Sequence, residues 1–330
     1  MTQRRPTISD VAREAGVSIA TVSRVMRRND SVSPALAERV REAADRLGYR
    51  PNPVARGLAL GESRMIGVFV PQLANPYFHL TLKAIAGGTN EDGYRLLVQE
   101  SDDVTEDETE IVDTLYRHAD GVIMLAPRMP DELLQALVDR HPRLVCAGRM
   151  ALTAGIPSVA TDCHSAMLDM ARTLARLGHR KVAFVSGSHE SWYNMERWRA
   201  VQQAAEFGIE AVRVQGGYSV EEGRAATDRA LEHEPTAIMA SNDLAAIGVL
   251  SRLRELGIGV PEEISVTGFD DIPFAAHSDP PLTTARSPEG LVGALAWTML
   301  RSIIVGDPTT PPQPLLRAEV VVRESTGPAA

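Results

Sequence analysis

From Met65 onward, short and continuously apolar segments alternate with helical stretches, and no other feature of this chain restricts its fold as severely. Segments 66–70, 96–99, 121–126 and 144–147 read as buried strands, and a second set follows at 182–186, 237–240 and 264–268. Between them, 78–90, 108–118, 166–177, 199–207, 220–232 and 244–256 read as helices. Strands that are apolar on both faces must be covered on both, so the alternation predicts parallel sheets flanked by helices. Two sets of strands predict an α/β region of two doubly wound, Rossmann-like lobes. Ligands of such sheets sit at the carboxyl ends of the strands, and a cleft between two lobes is the expected pocket.

The first sixty residues are different. A chain of 330 residues predicts roughly two or three domains, and charge shows where one of them ends. Residues 1–60 hold eleven Arg and no Lys against six acids, a net of +5, while the remainder carries 23 basic and 37 acidic residues, a net of −14. The overall charge of −9 therefore hides a small basic module attached to a large acidic one. Within the module Ile8, Val11, Ala12 and Ala15 keep one apolar helical face, with Ser9 or Thr7 available as N-cap. Gly16 stops that helix, Ser18 caps a second with Val22, Val25 and Met26 on its inner face, and Ser33-Pro34 opens a third that ends at Gly48.

A helix, a tight turn and a second helix opening on small polar residues describe a helix-turn-helix, whose second helix enters the major groove of DNA. Arg24, one turn on from Ala20, is placed to reach guanine O6 and N7. The segment 51–61 that follows is a helix of fewer than two turns interrupted by Gly57, too short to persist alone in water. It reads as a linker that becomes helical when something supports it.

The run TISDVAREAGVSIATVSRV, continued by SPALAERVREAADRLGYRPNPVARGL, resembles the LacI–GalR family of bacterial transcription regulators. The resemblance extends along nearly the whole chain through IGVFVPQLANPYF, ASND, SVTGFDDIPFA, PPLTT and the terminal VRES. It implies a helix-turn-helix domain over 1–50, a hinge helix over 51–61 and a periplasmic-binding-protein-like sensor over 62–330. The first lobe of that sensor is expected at about 62–161 plus 289–318 and the second at about 162–288 plus 319–330, so that the chain crosses between lobes three times. By the same resemblance Ile19 and Ala20 form the first base-reading pair and Arg24 the next reader, while Ser18, Thr21 and Ser23 contact phosphate. Arg27 is either a further phosphate contact or a solvated side chain. Leu58 takes the place of the leucine that wedges into the central base step, with Ala55 and Arg56 beside it.

In the sensor, Arg197 matches an effector-binding arginine, although Ala200 and Val201 depart from the family's pattern and leave Arg199 open. Asn242 and Asp270 match effector-binding polar positions; Asp243 and Asp271 read as structural. Asn75, Tyr77, Phe78, Tyr218 and Trp192 are candidate walls, and Arg149, at the end of the fourth strand, and Asp162, near the first crossover, are second-rank candidates. Guanidinium, carboxylate and amide groups suit vicinal hydroxyls, and aromatic faces suit the C–H face of a sugar, so a small sugar that releases the operator is the expected effector. A corepressor of purine type is the alternative. Ser287 stands where sugar-responsive members often have glutamine, which weakens transfer of any particular ligand.

No catalytic motif is present: no GxGxxG after the first strand, no P-loop, no HExxH and no GxSxG. The eight His show no metal-ligand spacing, and Cys146 and Cys163 form no CxxC. Neither a cofactor nor a metal is expected. The expected partners are palindromic operator DNA, a small-molecule effector and a second copy of the chain. With no secretory signal or membrane-length apolar run, a cytoplasmic location is expected, against the competing reading of an exported solute-binding protein. A tetramer built on an added C-terminal heptad helix is not expected.

Overall fold

The computed structural model describes residues 6–26, 32–50, 62–151, 155–307 and 313–330. The chain divides into two compact units, 1–63 and 64–330. In the first, helices α1 (Ile8–Ala15), α2 (Ile19–Met26) and α3 (Pro34–Leu47) enclose a core of Val11, Ala12, Ala15, Val22, Val25, Ala37, Val40, Ala43 and Ala44. Of the two candidate caps, Thr7 starts α1, in a capping box with Asp10. Gly16 ends it at φ 64°, a left-handed conformation that costs glycine least. The hydroxyl of Ser18 accepts from the Thr21 amide at 3.1 Å and so opens α2. Ser33 stands at the N-cap of α3, but its hydroxyl makes no capping bond, and Pro34 at the first helical position starts that helix.

The second unit holds two parallel sheets. The first contains β1 (Met65–Val70), β2 (Arg95–Glu100), β3 (Val122–Leu125), β4 (Leu144–Ala147), β5 (Ser158–Asp162) and β11 (Leu315–Arg317), in the order β11-β5-β4-β3-β1-β2. The other is β7-β6-β8-β9, built from β6 (Lys181–Ser186), β7 (Glu210–Gln215), β8 (Ala237–Ala240) and β9 (Ser265–Thr267). A two-stranded antiparallel ribbon pairs β10 (Thr284–Arg286) with β12 (Glu319–Val321). Helices α4 (Tyr77–Glu91), α5 (Glu108–His118) and α6 (Asp131–Arg140) follow β1, β2 and β3. Around the second sheet lie α7 (Cys163–Arg176), α8 (Trp192–Gln203), α9 (Val220–Leu231) and α10 (Asp243–Leu256). Helix α11 (Glu289–Val305) returns to pack on α4.

The crossings between lobes lie side by side. β5 ends at Asp162, and Asp162 pairs with Arg317 of β11. After the single residue Ala318, Glu319 begins β12 and pairs with Arg286. Central strands β3, β4 and β8 are buried along their whole length, which is why they are continuously apolar. Among the described residues no helix is long and apolar enough to cross a membrane.

Candidate nucleic-acid-reading helix and ligand cleft

Helix α2 turns Val22 and Val25 into the core of its unit, which by the 3.6-residue period directs Ile19, Ala20 and Arg24 outward. All three are exposed. Ile19 is 50% exposed, although burial would favour so large an apolar side chain. Ser18 and Thr21 share a hydroxyl–hydroxyl bond of 2.9 Å at the N-terminus of the helix, and Ser23 is half-buried. Arg27, Ala55, Arg56 and Leu58 lie outside the described residues.

The second unit gathers most of the sensor candidates around one open cavity. Asn75, Tyr77, Phe78, Arg197, Tyr218, Asn242 and Asp270 all line it. First-lobe residues come from the turn after β1 and the start of α4, where the Asn75 side chain accepts from the Tyr77 amide at 3.0 Å. Second-lobe residues come from the carboxyl ends of β7, β8 and β9 and from α8. Asn242 caps α10, accepting from the Ala245 amide at 2.9 Å, and its Nδ2 donates to the Tyr218 carbonyl at 3.0 Å. Tyr218 packs so closely on Gly187 that a Cβ there would stand 2.2 Å from its ring. Only a residue without a side chain leaves room for this wall.

Arg197 is the polar centre. Its guanidinium donates to the Ser241 carbonyl at 2.5 Å and to Asp270 Oδ1 at 3.3 Å, and it lies over the Phe269 ring at 3.9 Å and the Tyr193 ring at 5.4 Å. The buried Nε has no partner, an unfilled donor within the cavity wall. Asp270 adopts φ 111°, a costly conformation for any residue but glycine, of the kind that concentrates at binding sites. Burial pushes its carboxyl up to about 7, against the opposing pull of Arg197. Glu289, at the start of α11, rises to about 8 through burial and the nearby charge of Asp270.

Three candidates are placed elsewhere. Arg149 donates to the carbonyls of Pro127 and Met129 at 3.2 and 2.6 Å and pairs with Asp131, so it braces the loop after β3 from beneath. Asp162 caps α7 by accepting from the Ser165 amide at 3.0 Å. Trp192 is half-buried beside Tyr193, outside the lining, because α8 begins at 192 and its second residue is the one that faces the cavity. Arg199 pairs with Glu196 at 2.8 Å on an exposed face, so of these two arginines Arg197 is the one in the cleft. Asp243 accepts from the Ile272 amide at 2.8 Å and from the Thr284 hydroxyl at 2.5 Å, a buried brace behind the site.

Six lining residues escaped sequence reasoning, Pro71, Gln72, Ala126, Arg128, Ser191 and Tyr193, and two of them matter most to the site. Tyr193 is one, hidden by setting the start of the helix seven residues late. The other is Arg128, which pairs with Asp103 at 2.7 Å and lies over the Tyr218 ring at 5.1 Å, joining the two lobes. Its signal was available: it follows β3 by three residues, at the carboxyl end of a central strand. Among the described residues no group of His, Cys, Asp and Glu is arranged to hold a metal ion.

Residues 7–52 match the profile of bacterial regulatory proteins, lacI family, and 171–326 match a periplasmic binding protein-like domain. Catabolite control protein A of Priestia megaterium is 33% identical, over 89% of this chain and 91% of its own. The transcriptional repressor CytR of Escherichia coli K12 is 31% identical, over 97% and 96%. Among solved structures, the lac repressor dimer bound to operator and the anti-inducer ONPF matches with a TM-score of 0.84 and 27% identity, covering 98% of this chain and all of that one. The complex of the transcriptional regulator CelR with cellobiose matches with a TM-score of 0.71 and 29% identity, covering 97% and 100%. The chain belongs to the LacI family, whose members are DNA-binding transcriptional regulators and not enzymes.

Proposed function

We infer that this regulator is a repressor of carbohydrate-utilisation genes that binds a palindromic operator as a dimer and is released by a small sugar in the cleft. The reader is the domain 1–50, with Ser18, Ile19, Ala20, Thr21, Ser23, Arg24 and Arg27 on the major groove and on phosphates. Ala55, Arg56 and Leu58 of the hinge 51–61 take the minor groove. Residues 62–330 form the sensor, with lobes of about 62–161 plus 289–318 and 162–288 plus 319–330. The protein acts in the cytoplasm, where the chromosome is.

One observation carries the sugar reading. A buried guanidinium with an unfilled donor and a carboxylate face the same cavity as the rings of Tyr77, Phe78, Tyr193 and Tyr218. The guanidinium and carboxylate hydrogen-bond vicinal hydroxyls, and the rings cover an apolar C–H face. The same rings favour a second reading, a planar purine-like corepressor, because a base stacks on them equally well.

Gel shift on duplexes selected from a random pool separates these readings. Binding should fall steeply with salt, as phosphate contacts require, and a palindrome with a central CG step should emerge. Release by a sugar supports induction, whereas tighter binding with a purine replaces it by corepression. Selection that yields no preferred sequence would overturn the operator reading.

A further inference from the structure

Tyr193 stands on the second lobe, in the first turn of α8, yet its side chain is built into the first. Its hydroxyl accepts from the Thr161 amide of β5 and from the Tyr77 hydroxyl of α4, each at 3.1 Å. Its ring lies over a floor of small residues at the ends of β3 and β4. A Cβ added to Gly148 would stand 3.3 Å from Tyr193 Cε2 and 3.2 Å from the Ala126 Cβ. The ring is 6% exposed and meets Tyr77 edge-on with centroids 6.1 Å apart. Thus the carboxyl ends of three neighbouring first-lobe strands, the ordinary ligand position of such a sheet, are covered by one side chain of the other lobe. The cavity that remains lies between Tyr193, Arg197, Tyr218 and Tyr77.

We propose that Tyr193 sets the length of ligand the cleft admits: its six-membered ring takes the space of a second ligand ring, so the site accepts single-ring ligands of monosaccharide size and excludes two-ring ones. The inference rests on the cleft being the effector site. It does not depend on the effector being a sugar. Arg197 and Asp270 hold the ring that binds, and Tyr193 closes the space beyond it. Removing the Tyr193 ring while keeping Gly148 and Ala126 small should open a second subsite against the first lobe.

The test uses the full chain and matched pairs of probes: D-glucose with cellobiose, D-galactose with lactose, and uracil with uridine. Thermal shift and calorimetric titration are read for the unaltered chain, Tyr193→Phe and Tyr193→Ala. The unaltered chain and the Phe variant should bind only the single-ring member of a pair. The Ala variant should gain the two-ring member by about tenfold or more, the discrimination that pocket shape supplies. The gate is overturned if the unaltered chain binds a two-ring member as tightly as its partner. It is equally overturned if a folded Ala variant gains none, including the case in which no probe acts on any protein. If the Ala variant does not fold, Tyr193→Leu takes its place. A response confined to the uracil and uridine pair, with uridine gained by the Ala variant, would overturn the sugar reading and leave the gate standing.

Discussion

Arg197 donates to a carbonyl and a carboxylate while lying over two aromatic faces, so little around it can compensate for its loss. Arg197→Ala leaves Asp270 buried without its cation, and breaking such a pair costs about 3–5 kcal/mol. Asp270 already titrates at about 7 and relieves part of that cost by taking up a proton. The urea midpoint of the variant should therefore drop further at pH 8 than at pH 6, and equal drops would contradict the pairing. Arg197→Lys should not restore ligand binding, because an ammonium lacks the planar fork. The unaltered chain has a pH dependence of its own. Burial raises the carboxyls of Glu108 and Asp270 to about 7 and that of Glu289 to about 8, from ordinary values near 4. Each holds a proton in the folded state after the unfolded chain has lost it. Their contribution is full below about pH 4 and is lost as pH rises through the folded values, so the unfolding midpoint should fall from pH 5 to pH 8.5.

Among the elements, most of those legible in the sequence are buried on both faces, with two departures. β2, read as buried over 96–99, is an edge strand with no buried residue, and β5, buried at four of its five positions, has too short and polar a sequence to read as a strand. β3, β4 and β8 are apolar runs because helices cover them from either side. β7 mixes polar and apolar residues, Glu, Ala, Val, Arg, Val and Gln, and buries only Val214, as an edge strand can, so no continuous apolar run marks it. β10, β11 and β12 are three residues each, and their pairing is supplied by partners remote in sequence, which no local pattern reports. The cleft divides in the same way. Asn242, Asp270 and Arg197 lie beside recognisable strands or motifs, whereas Tyr193 depends on where α8 begins. Ser191 decides that start by accepting from the Asn194 amide. Ser191→Ala should cost about 1 kcal/mol in denaturant unfolding, the usual worth of such a cap. In α2 the exposed and buried faces separate reading from folding. Arg24→Ala should leave thermal stability within about 0.5 kcal/mol, as an exposed change does. It should also relax sequence preference by about 1–3 kcal/mol in competition gel shifts.

At the scale of the molecule, a +5 module joined to a −14 body predicts that the segment between them governs DNA binding. Leu58→Ala should weaken the selected palindrome more than random duplex, since only a specific complex gains from a wedge at its centre. Equal losses in titrations of both would remove that role from Leu58. The two lobes are joined differently, and their joints lie together: Asp162 beside Arg317, Ala318 as the one residue between β11 and β12, and Glu319 beside Arg286. Three tethers in a row act on the lobes as the knuckles of a door hinge act on a leaf. They resist sliding and pulling apart, and rotation about their own line is the freedom they leave. A single backbone cut at one knuckle would leave the other two to hold the same axis.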